Sequence, residues 1–240
     1  MCRTLHLGHF GTFGPLGPLM FVAVIPAYNE AKRVGNVVQS ARQYVDDVIV
    51  VDDGSTDGTA AAAHAAGAHV VRHAENSGAG AATMTGIEAA RRMGASSVVT
   101  LDADEQHDPA DIPKLLQPVK DDTADIVFAN RFGQRNRIPL IRRIFNAIGN
   151  AVTLVATGKW VQDSQSGYKV FGPRALRQVD IRMRGFEFCT EIVREAAQHR
   201  WRIAQVPVKV VYSEYTLAKG QSFSNGVKTA LKILLRSFLR

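Results

Sequence analysis

Through its first half the chain alternates short apolar runs with longer segments of helical character, and this alternation limits the folds open to it. The pattern is typical of βαβ units, which build a parallel sheet with helices on both faces. We therefore predict an α/β domain. The predicted strands are Phe21–Ile25, Asp47–Val51, Ala68–Arg72, Ser97–Leu101 and Asp125–Ala129, and the predicted helices cover residues 34–44, 57–66, 79–93 and 110–120.

Polar motifs directly follow three of these strands, at residues 26–30, 52–57 and 102–107. In open α/β sheets, ligands bind beyond the carboxyl ends of the strands. We therefore expect the three motifs to meet at one edge of the sheet and to form a single site there.

The motif at residues 102–107 predicts a metal site. Asp102 and Asp104 lie two residues apart on an extended segment, so both carboxylates can face one small cation, and Gln106 follows on the same side. Oxygen ligands of this kind suit Mg²⁺ or Mn²⁺, which usually bind a couple of carboxylates together with substrate phosphates. The motif therefore indicates a phosphorylated, nucleotide-linked substrate. Two surface aspartates at a strand end are the plainer alternative.

The second half of the chain has a different pattern. Residues 138–157 predict a helix, and a polar loop follows at residues 162–167. A further helix is predicted at residues 187–199 and a strand at residues 203–211.

The net charge also differs between the two halves of the chain. Up to Asn130 there are 9 Lys and Arg against 16 Asp and Glu, a net charge of −7, and from Arg131 onward there are 20 against 6, a net charge of +14. The basic half should meet an anionic partner. Because its cations lie among aliphatic patches, we expect a membrane surface or a lipid phosphate rather than nucleic acid.

The two ends of the chain differ from the middle. Residues 1–20 are rich in Gly and Pro and predict a disordered tail, whereas residues 226–240 predict a basic amphipathic helix with a cation at every fourth position from Lys228 to Arg240. Such a helix can lie in a membrane interface, or it can dock on the domain as an ordinary surface helix. There is no run of 18 apolar residues, which argues against a transmembrane helix, and the two cysteines form no disulfide framework. We therefore expect a cytoplasmic protein, peripheral on the cytoplasmic face of the membrane.

Four ordered motifs carry a family resemblance: Ile25–Glu30, Val50–Thr59, Asp102–His107 and Asp163–Lys169. Together they resemble the family 2 inverting glycosyltransferases with the GT-A fold, a Rossmann-like α/β fold that binds nucleotide-diphosphate sugars. The fourth motif resembles the branch that makes polyprenyl-phosphate sugars, such as dolichyl-phosphate glucose or mannose synthases. The resemblance covers residues 21–225 and implies one GT-A domain over that range.

The resemblance also implies roles for individual residues. Nucleotide-sugar contacts are expected from Pro26, Ala27, Tyr28, Glu30, Val51, Asp53, Asp102, Ala103 and Asp104. The expected metal ligands are Asp102, Asp104 and Gln106, and the expected catalytic residues are Asp104, Arg131, Lys169 and Glu191. Asp163, Gln165 and Lys169 belong to a loop that closes over the acceptor and the sugar. Arg131 and Lys169 are expected to face phosphates.

Plainer structural roles remain open for several of these positions. Glu30 opens a predicted helix and could act as a cap, and Asp52 and Asp57 are common turn formers. Arg131 could be a solvated residue at a strand end. The glycines at positions 78 and 80 could serve only to let the chain pack closely where the next helix begins.

The role of Glu191, or of its neighbour Glu187, depends on the acceptor. A phosphate monoester has a second pKa near ~6 and is largely ionised at pH 7. A sugar hydroxyl is not ionised and needs a positioned base. A lipid phosphate acceptor would therefore leave these carboxylates an orienting role.

Near its end the sequence departs from the family pattern. Where members often carry an arginine and a lysine, this chain has Ser213 or Glu214 and Phe223, although Lys219 could replace one of the lost cations. These changes affect how phosphates are held at that edge of the site.

The implied reaction transfers a hexose from UDP-glucose or GDP-mannose to a polyprenyl (dolichyl) phosphate, with inversion and with Mg²⁺ or Mn²⁺. One alternative is a glycosyltransferase with a hydroxyl acceptor on a glycan or glycolipid, which would need Glu187 or Glu191 as a base. The other is a non-catalytic module that binds a sugar nucleotide without turnover.

Overall fold

The computed structural model describes residues 19–134 and 138–211, and these form a seven-stranded sheet covered by helices on both faces. The strand order is β3-β2-β1-β4-β6-β5-β7. The strands are β1 Phe21–Ala27, β2 Asp47–Asp52, β3 His69–Arg72, β4 Ser97–Thr100, β5 Ile126–Asn130, β6 Lys169–Phe171 and β7 Ile203–Pro207. The helices are α1 Val34–Ala41, α2 Thr59–Ala65, α3 Ala79–Arg92, α4 Ile112–Lys120, α5 Leu140–Thr157, α6 Pro173–Gln178 and α7 Phe188–Gln198, and a 3-10 turn at Pro109–Asp111 precedes α4.

The predicted α/β architecture is confirmed. The five predicted strands of the first half are present, each with its ends within two residues of the prediction, and β1, β2, β3 and β4 pair in parallel. The strand predicted at residues 203–211 ends earlier, at Pro207, and the helix predicted at 34–44 ends at Ala41.

One strand and one short helix were not predicted. Strand β6 has three residues and lies antiparallel between β4 and β5, and α6 follows it directly. A segment this short carries no readable alternation, so its pairing is decided by the strands on either side. Its insertion places the loop before Lys169 at the carboxyl end of β4.

The core has two layers, one on each face of the sheet. Along β1, Ala23 and Ile25 face the layer that contains α1, α2 and α4, whereas Val22 and Val24 face the layer that contains α3, α6 and α7. Successive side chains of a strand point to opposite faces, and because both faces are covered the strands are apolar throughout.

The two predicted terminal segments fall largely outside the described residues. The disordered tail was predicted for residues 1–20 and the amphipathic helix for residues 226–240, beyond the last described residue, Val211. Ser213, Glu214, Lys219 and Phe223 also lie outside the described residues. Among the helices that the structure describes, none combines the length and the apolar character needed to cross a membrane.

Candidate active site

The acidic motif lies directly beyond β4, at the carboxyl edge of the sheet. Asp104 Oδ1 accepts a hydrogen bond of 3.0 Å from the backbone N–H of Gln106, and the intervening Glu105 has a φ of 63°, so the chain turns sharply here. The side chain of Asp102 is 45% exposed, so its carboxylate is accessible to a ligand. Asp104 and Gln106 are also partly exposed.

The loop before β6 packs closely against Asp102. A Cβ atom placed on Gly167 would lie only 2.4 Å from Asp102 Oδ1 and 2.5 Å from Asp102 Oδ2, so any larger residue here would require the Asp102 carboxylate to move. The hydroxyl of Thr100, the last residue of β4, donates a hydrogen bond of 2.7 Å to the carbonyl of Gly167. The predicted metal motif and the predicted acceptor loop therefore form one continuous surface.

A buried ion pair joins this loop to the end of β5. Both carboxylate oxygens of Asp163 accept hydrogen bonds of 2.7 Å from the guanidinium of Arg131, and Oδ2 also accepts the Arg131 backbone N–H at 2.9 Å. Asp163 is fully buried, whereas the Arg131 side chain is 16% exposed. The bidentate geometry fixes the plane of the guanidinium.

The buried face of α5 supports the same loop through polar side chains. Asn146 lies 3.4 Å from the Arg131 guanidinium, and Asn150 donates to the Gln162 carbonyl and accepts from the Ser164 backbone N–H. Thr153 lies within hydrogen-bonding distance of Ser164 and of Thr190 on α7. These contacts link α5 and α7 to the loop.

Lys169 lies beneath the loop rather than on its surface. Its side chain is fully buried, its ammonium donates to the carbonyl of Ser166, and it lies over the rings of Phe128 and Phe188 at 5.7 and 5.6 Å. The ammonium therefore supports the loop from within. The contact between Lys169 and a phosphate stays a prediction.

Two further buried groups, His107 and Cys189, lie in the electrostatic field of the site. Burial, with the nearby cations of Arg131 and Lys169, lowers the pKa of His107 to about 3, so the imidazole is neutral at physiological pH. Burial raises the pKa of the Cys189 thiol. The nearby Lys169 ammonium lowers this pKa in part, and the Asp102 carboxylate raises it further. His107 Nε2 lies 3.7 Å from Asp102 Oδ2, and the Lys169 ammonium lies 3.7 Å from Cys189 Sγ, so both groups belong to the same region as the acidic motif and the loop.

On the other side of the site, Asp53 holds the loop that follows β3. Its carboxylate accepts the backbone N–H groups of Ser77 at 2.9 Å and Gly78 at 2.8 Å, and it lies 2.7 Å from His73 Nδ1. The neighbouring Asp52 accepts the Ser55 backbone N–H at 2.9 Å, which is the turn-forming role considered for it.

The other residues predicted to contact the nucleotide lie at the ends of β1, β2 and β4. The side chains of Ala27, Val51 and Ala103 are buried, so only their backbone atoms could contact a ligand. Tyr28 is 41% exposed, Pro26 is partly exposed and Glu30 is buried. Their contacts with a nucleotide stay predictions.

Glu191 has a different environment from that of a free base. Its Oε2 accepts the backbone N–H groups of Arg182 at 3.0 Å and Met183 at 2.7 Å, and its Oε1 pairs with Arg194 at 3.0 Å. The side chain is buried. Its contacts therefore connect α7 to the preceding segment. Glu187, which is more exposed, lies directly before the first residue of α7.

The donor set at 102–107 suits a hard divalent cation. Within residues 19–134 and 138–211, no three His, Cys, Asp or Glu side chains converge as a metal cluster. Asp102, Asp104 and Gln106 stay the predicted ligands, two carboxylates and an amide oxygen. Mg²⁺ and Mn²⁺ commonly bind through few protein ligands and complete their coordination with water and substrate phosphates. The Asp102 side chain is 45% exposed, so its carboxylate is open to such a cation.

Sequence reasoning assigned no role to several residues that build this site. Asn146, Asn150 and Thr153 lie on the helix predicted at residues 138–157, and His107 is the last residue of the acidic motif. Polar residues at spacings of three and four within an otherwise apolar helix are the signal that could have found the first three.

Comparisons with known proteins agree with this geometry. Residues 22–179 match the family described as Glycosyl transferase family 2. The chain is 33% identical to a UDP-N-acetylglucosamine–dolichyl-phosphate N-acetylglucosaminyltransferase of Methanococcus voltae, covering 88% of this chain and 94% of the relative. It is 28% identical to a polyprenol monophosphomannose synthase of Mycolicibacterium smegmatis, covering 82% and 80%.

The structural comparison supports the same fold. A glucosyl-3-phosphoglycerate synthase of Mycobacterium tuberculosis, solved with Mn²⁺, UDP and glucosyl-3-phosphoglycerate, superposes with a TM-score of 0.70 over 91% of this chain and 80% of that one, at 22% identity. Identity at this level shows the GT-A fold alone. With the family match covering more than half its length, the chain belongs to glycosyl transferase family 2.

Proposed function

We propose that this enzyme transfers a sugar from a nucleotide-diphosphate sugar to a polyprenyl phosphate at the cytoplasmic face of a membrane. The observation that carries the proposal is the packing of Gly167 against Asp102, which joins the metal motif to the loop expected to receive the acceptor. Relatives that match most of the chain are named for dolichyl, undecaprenyl and polyprenol phosphate acceptors.

The donor would bind across the ends of β1, β2 and β4. Asp102, Asp104 and Gln106 would hold Mg²⁺ or Mn²⁺, which when bound neutralises the diphosphate as the sugar departs. Structural neighbours solved with Mn²⁺ or Mg²⁺ and UDP support this metal chemistry.

The acceptor would bind beside Arg131. Its guanidinium, whose plane is fixed by Asp163, would face the acceptor phosphate, as expected for an arginine at this position. Gln165 belongs to the same loop as Asp163. An acceptor phosphate oxygen forms the new bond to the anomeric carbon while the bond to the diphosphate breaks and the nucleotide diphosphate leaves, which inverts that carbon. Because the phosphate is already ionised at pH 7, no protein base is needed.

Glu191 is accordingly assigned no base role in this reaction. Its two oxygens hold two backbone N–H groups and Arg194, and these contacts order the segment before α7. Lys169 has a comparable supporting role, since its ammonium holds the Ser166 carbonyl from below.

The identity of the sugar needs a direct test. We expected a hexose from UDP-glucose or GDP-mannose, and the relative from Methanococcus voltae adds UDP-N-acetylglucosamine to the candidates. The assay uses these three labelled donors with polyprenyl phosphate, with Mg²⁺ or Mn²⁺, and with Asp104→Ala as the inactive comparison. We expect one labelled lipid that disappears with EDTA and falls at least about a hundredfold in the variant, because the metal contributes several kcal/mol.

Two outcomes would contradict the proposal. Metal-dependent nucleotide binding without any labelled lipid would direct attention to hydroxyl acceptors, and binding without turnover on any acceptor would indicate a binding module. The configuration of the product, read by NMR of the lipid-linked sugar, tests inversion separately.

A further inference from the structure

Helix α5 has the reverse of the usual polarity of a surface helix. Its inward face carries three buried polar residues: Asn146, which lies beside the Arg131 guanidinium, and Asn150 and Thr153, which contact the loop at residues 162–167. Helices at a protein surface normally direct apolar residues inward and polar residues outward. Packing against the core therefore does not explain why α5 has so many apolar residues.

The outward face of α5 is continuously apolar. Its exposed members recur at spacings of three and four residues, which places them along one side of the helix. They are Leu140, Ile141, Ile144, Ala147, Ile148, Ala151, Leu154 and Val155. Leu140 and Val155 are 71% and 74% exposed, and Trp160, just after the helix, is 59% exposed. An exposed apolar surface of this extent marks an interaction site.

The charges around this face indicate what kind of partner could bind it. From Arg131 to Gln162 the sequence contains six Lys and Arg and no Asp or Glu, and Arg143 and Lys159 are exposed beside the apolar face. If a second copy of the chain packed on this face, the cations of the two copies would lie close together. If residues 226–240 packed on it, their four cations, with no acidic residue among them, would also lie close to these cations. Like charges facing each other are unfavourable, whereas an anionic lipid surface complements them.

We infer that the outward face of α5, with Trp160 and Lys159, is a membrane-contacting surface that lies in the interface of an anionic bilayer. An amphipathic helix with flanking cations and a tryptophan at its end has the composition that such interfaces favour. The inference deepens the proposed function, since the same helix holds the loop beside Arg131 on its inner face. A lipid acceptor would then reach the site next to the membrane.

Vesicle flotation of the full chain tests the surface through one matched pair of variants. Ile148 is 49% exposed on α5, and Leu19 is 48% exposed just before β1, at the opposite edge of the sheet from the site. With vesicles of phosphatidylcholine and phosphatidylglycerol, we expect Ile148→Asn to weaken binding about tenfold and Leu19→Asn to leave it unchanged. The triple variant Ile144→Asn/Ile148→Asn/Val155→Asn should bind at least about a hundredfold more weakly than the wild type, with residues 226–240 unchanged in every variant. Binding of the triple variant at the wild-type level would overturn the inference.

Tryptophan fluorescence gives a second readout on the unmodified protein. The chain has two tryptophans, and Trp201 is 5% exposed, so quenching by brominated lipids reports on Trp160. We expect quenching with anionic vesicles that Trp160→Phe removes. Vesicle binding without quenching would contradict the inference, even if the triple variant failed to fold.

A short-chain, water-soluble prenyl phosphate separates this inference from the proposed function. If the α5 variants transfer sugar to it at the wild-type rate but bind vesicles more weakly, both stand. If the wild type binds vesicles through α5 and transfers sugar to no prenyl phosphate, the proposed function fails and the surface remains. If transfer is normal and the α5 variants bind vesicles normally, only the surface is wrong.

Discussion

The guanidinium of Arg131 and the carboxylate of Asp163 form a two-fold hydrogen-bonded pair, with both N···O distances at 2.7 Å. Asp163 is fully buried, and its second oxygen also fixes the Arg131 backbone. Asp163 was expected to belong to the loop that closes over the acceptor and the sugar. In the structure its side chain positions Arg131, the residue expected to face a phosphate.

This pair leads to a prediction for Asp163→Asn. Loss of the charge leaves the Arg131 guanidinium without its counterion, so we expect the free energy of unfolding to fall by about 2–4 kcal/mol. The KM for the acceptor should rise more than the KM for the donor. Chemical denaturation and steady-state kinetics measure these effects.

A double-mutant cycle provides the control. Adding Arg131→Met to Asp163→Asn removes the unpaired charge and should restore part of the stability but none of the acceptor affinity. Strictly additive stability losses would show that the two side chains are not coupled.

Gly167→Ala should weaken metal binding without touching a metal ligand. The new Cβ would lie 2.4 Å from Asp102 Oδ1, so the carboxylate must rotate away. We expect Mn²⁺ affinity in the presence of UDP to fall about tenfold to a hundredfold, as measured by calorimetry. The matched control is Gly35→Ala, where the nearest atom to the new Cβ is 3.8 Å away. Wild-type Mn²⁺ affinity in Gly167→Ala would exclude the proposed metal site.

Glu191→Gln distinguishes a supporting carboxylate from a base. Since Glu191 accepts two backbone N–H groups and an arginine, we expect a loss of about 1–3 kcal/mol in stability and a transfer rate within about threefold of wild type. The pH profile of kcat should not shift. A loss of about a hundredfold or more in kcat would instead identify a base and a hydroxyl acceptor. Glu187→Gln tests the other candidate base in the same assay, and it too should keep a transfer rate within about threefold of wild type.

His107 should contribute to the pH dependence of stability. Its pKa is about 3 in the folded protein against 6.5 ordinarily, so between these values the unfolded chain binds a proton that the folded protein does not. Stability should therefore fall as the pH drops below about 6.5, by up to about 1.4 kcal/mol per pH unit from this residue.

The measurement is urea denaturation at several pH values between 7 and 4. His107→Leu should show a shallower loss than the wild type over this range. Its imidazole Nδ1 is buried and makes no hydrogen bond to the residues that the structure describes, so the leucine removes no such bond at that atom. Parallel curves for the two proteins would show that His107 is not held neutral by the fold.

Much of the fold could be predicted from the sequence because its signals are local. The apolar runs of β1, β2 and β4 and the polar turns that end them are readable residue by residue, and the parallel topology follows from their alternation with helices. The acidic motif could likewise be assigned to the carboxyl edge of the sheet, because it directly follows an apolar run. The terminal segments stay predictions.

What only the tertiary structure decided is how distant segments share one site. Strand β6 lies between β4 and β5 and pairs with both of them. This pairing places Gly167 next to Asp102, which lies 65 positions earlier in the chain. The pairing of Arg131 with Asp163 and the inverted polarity of α5 depend in the same way on packing between segments. The sequence determined the types of residue and their local order. The burial of each charged side chain and its ion-pair partner decide its role, and both depend on contacts that form only in the folded chain.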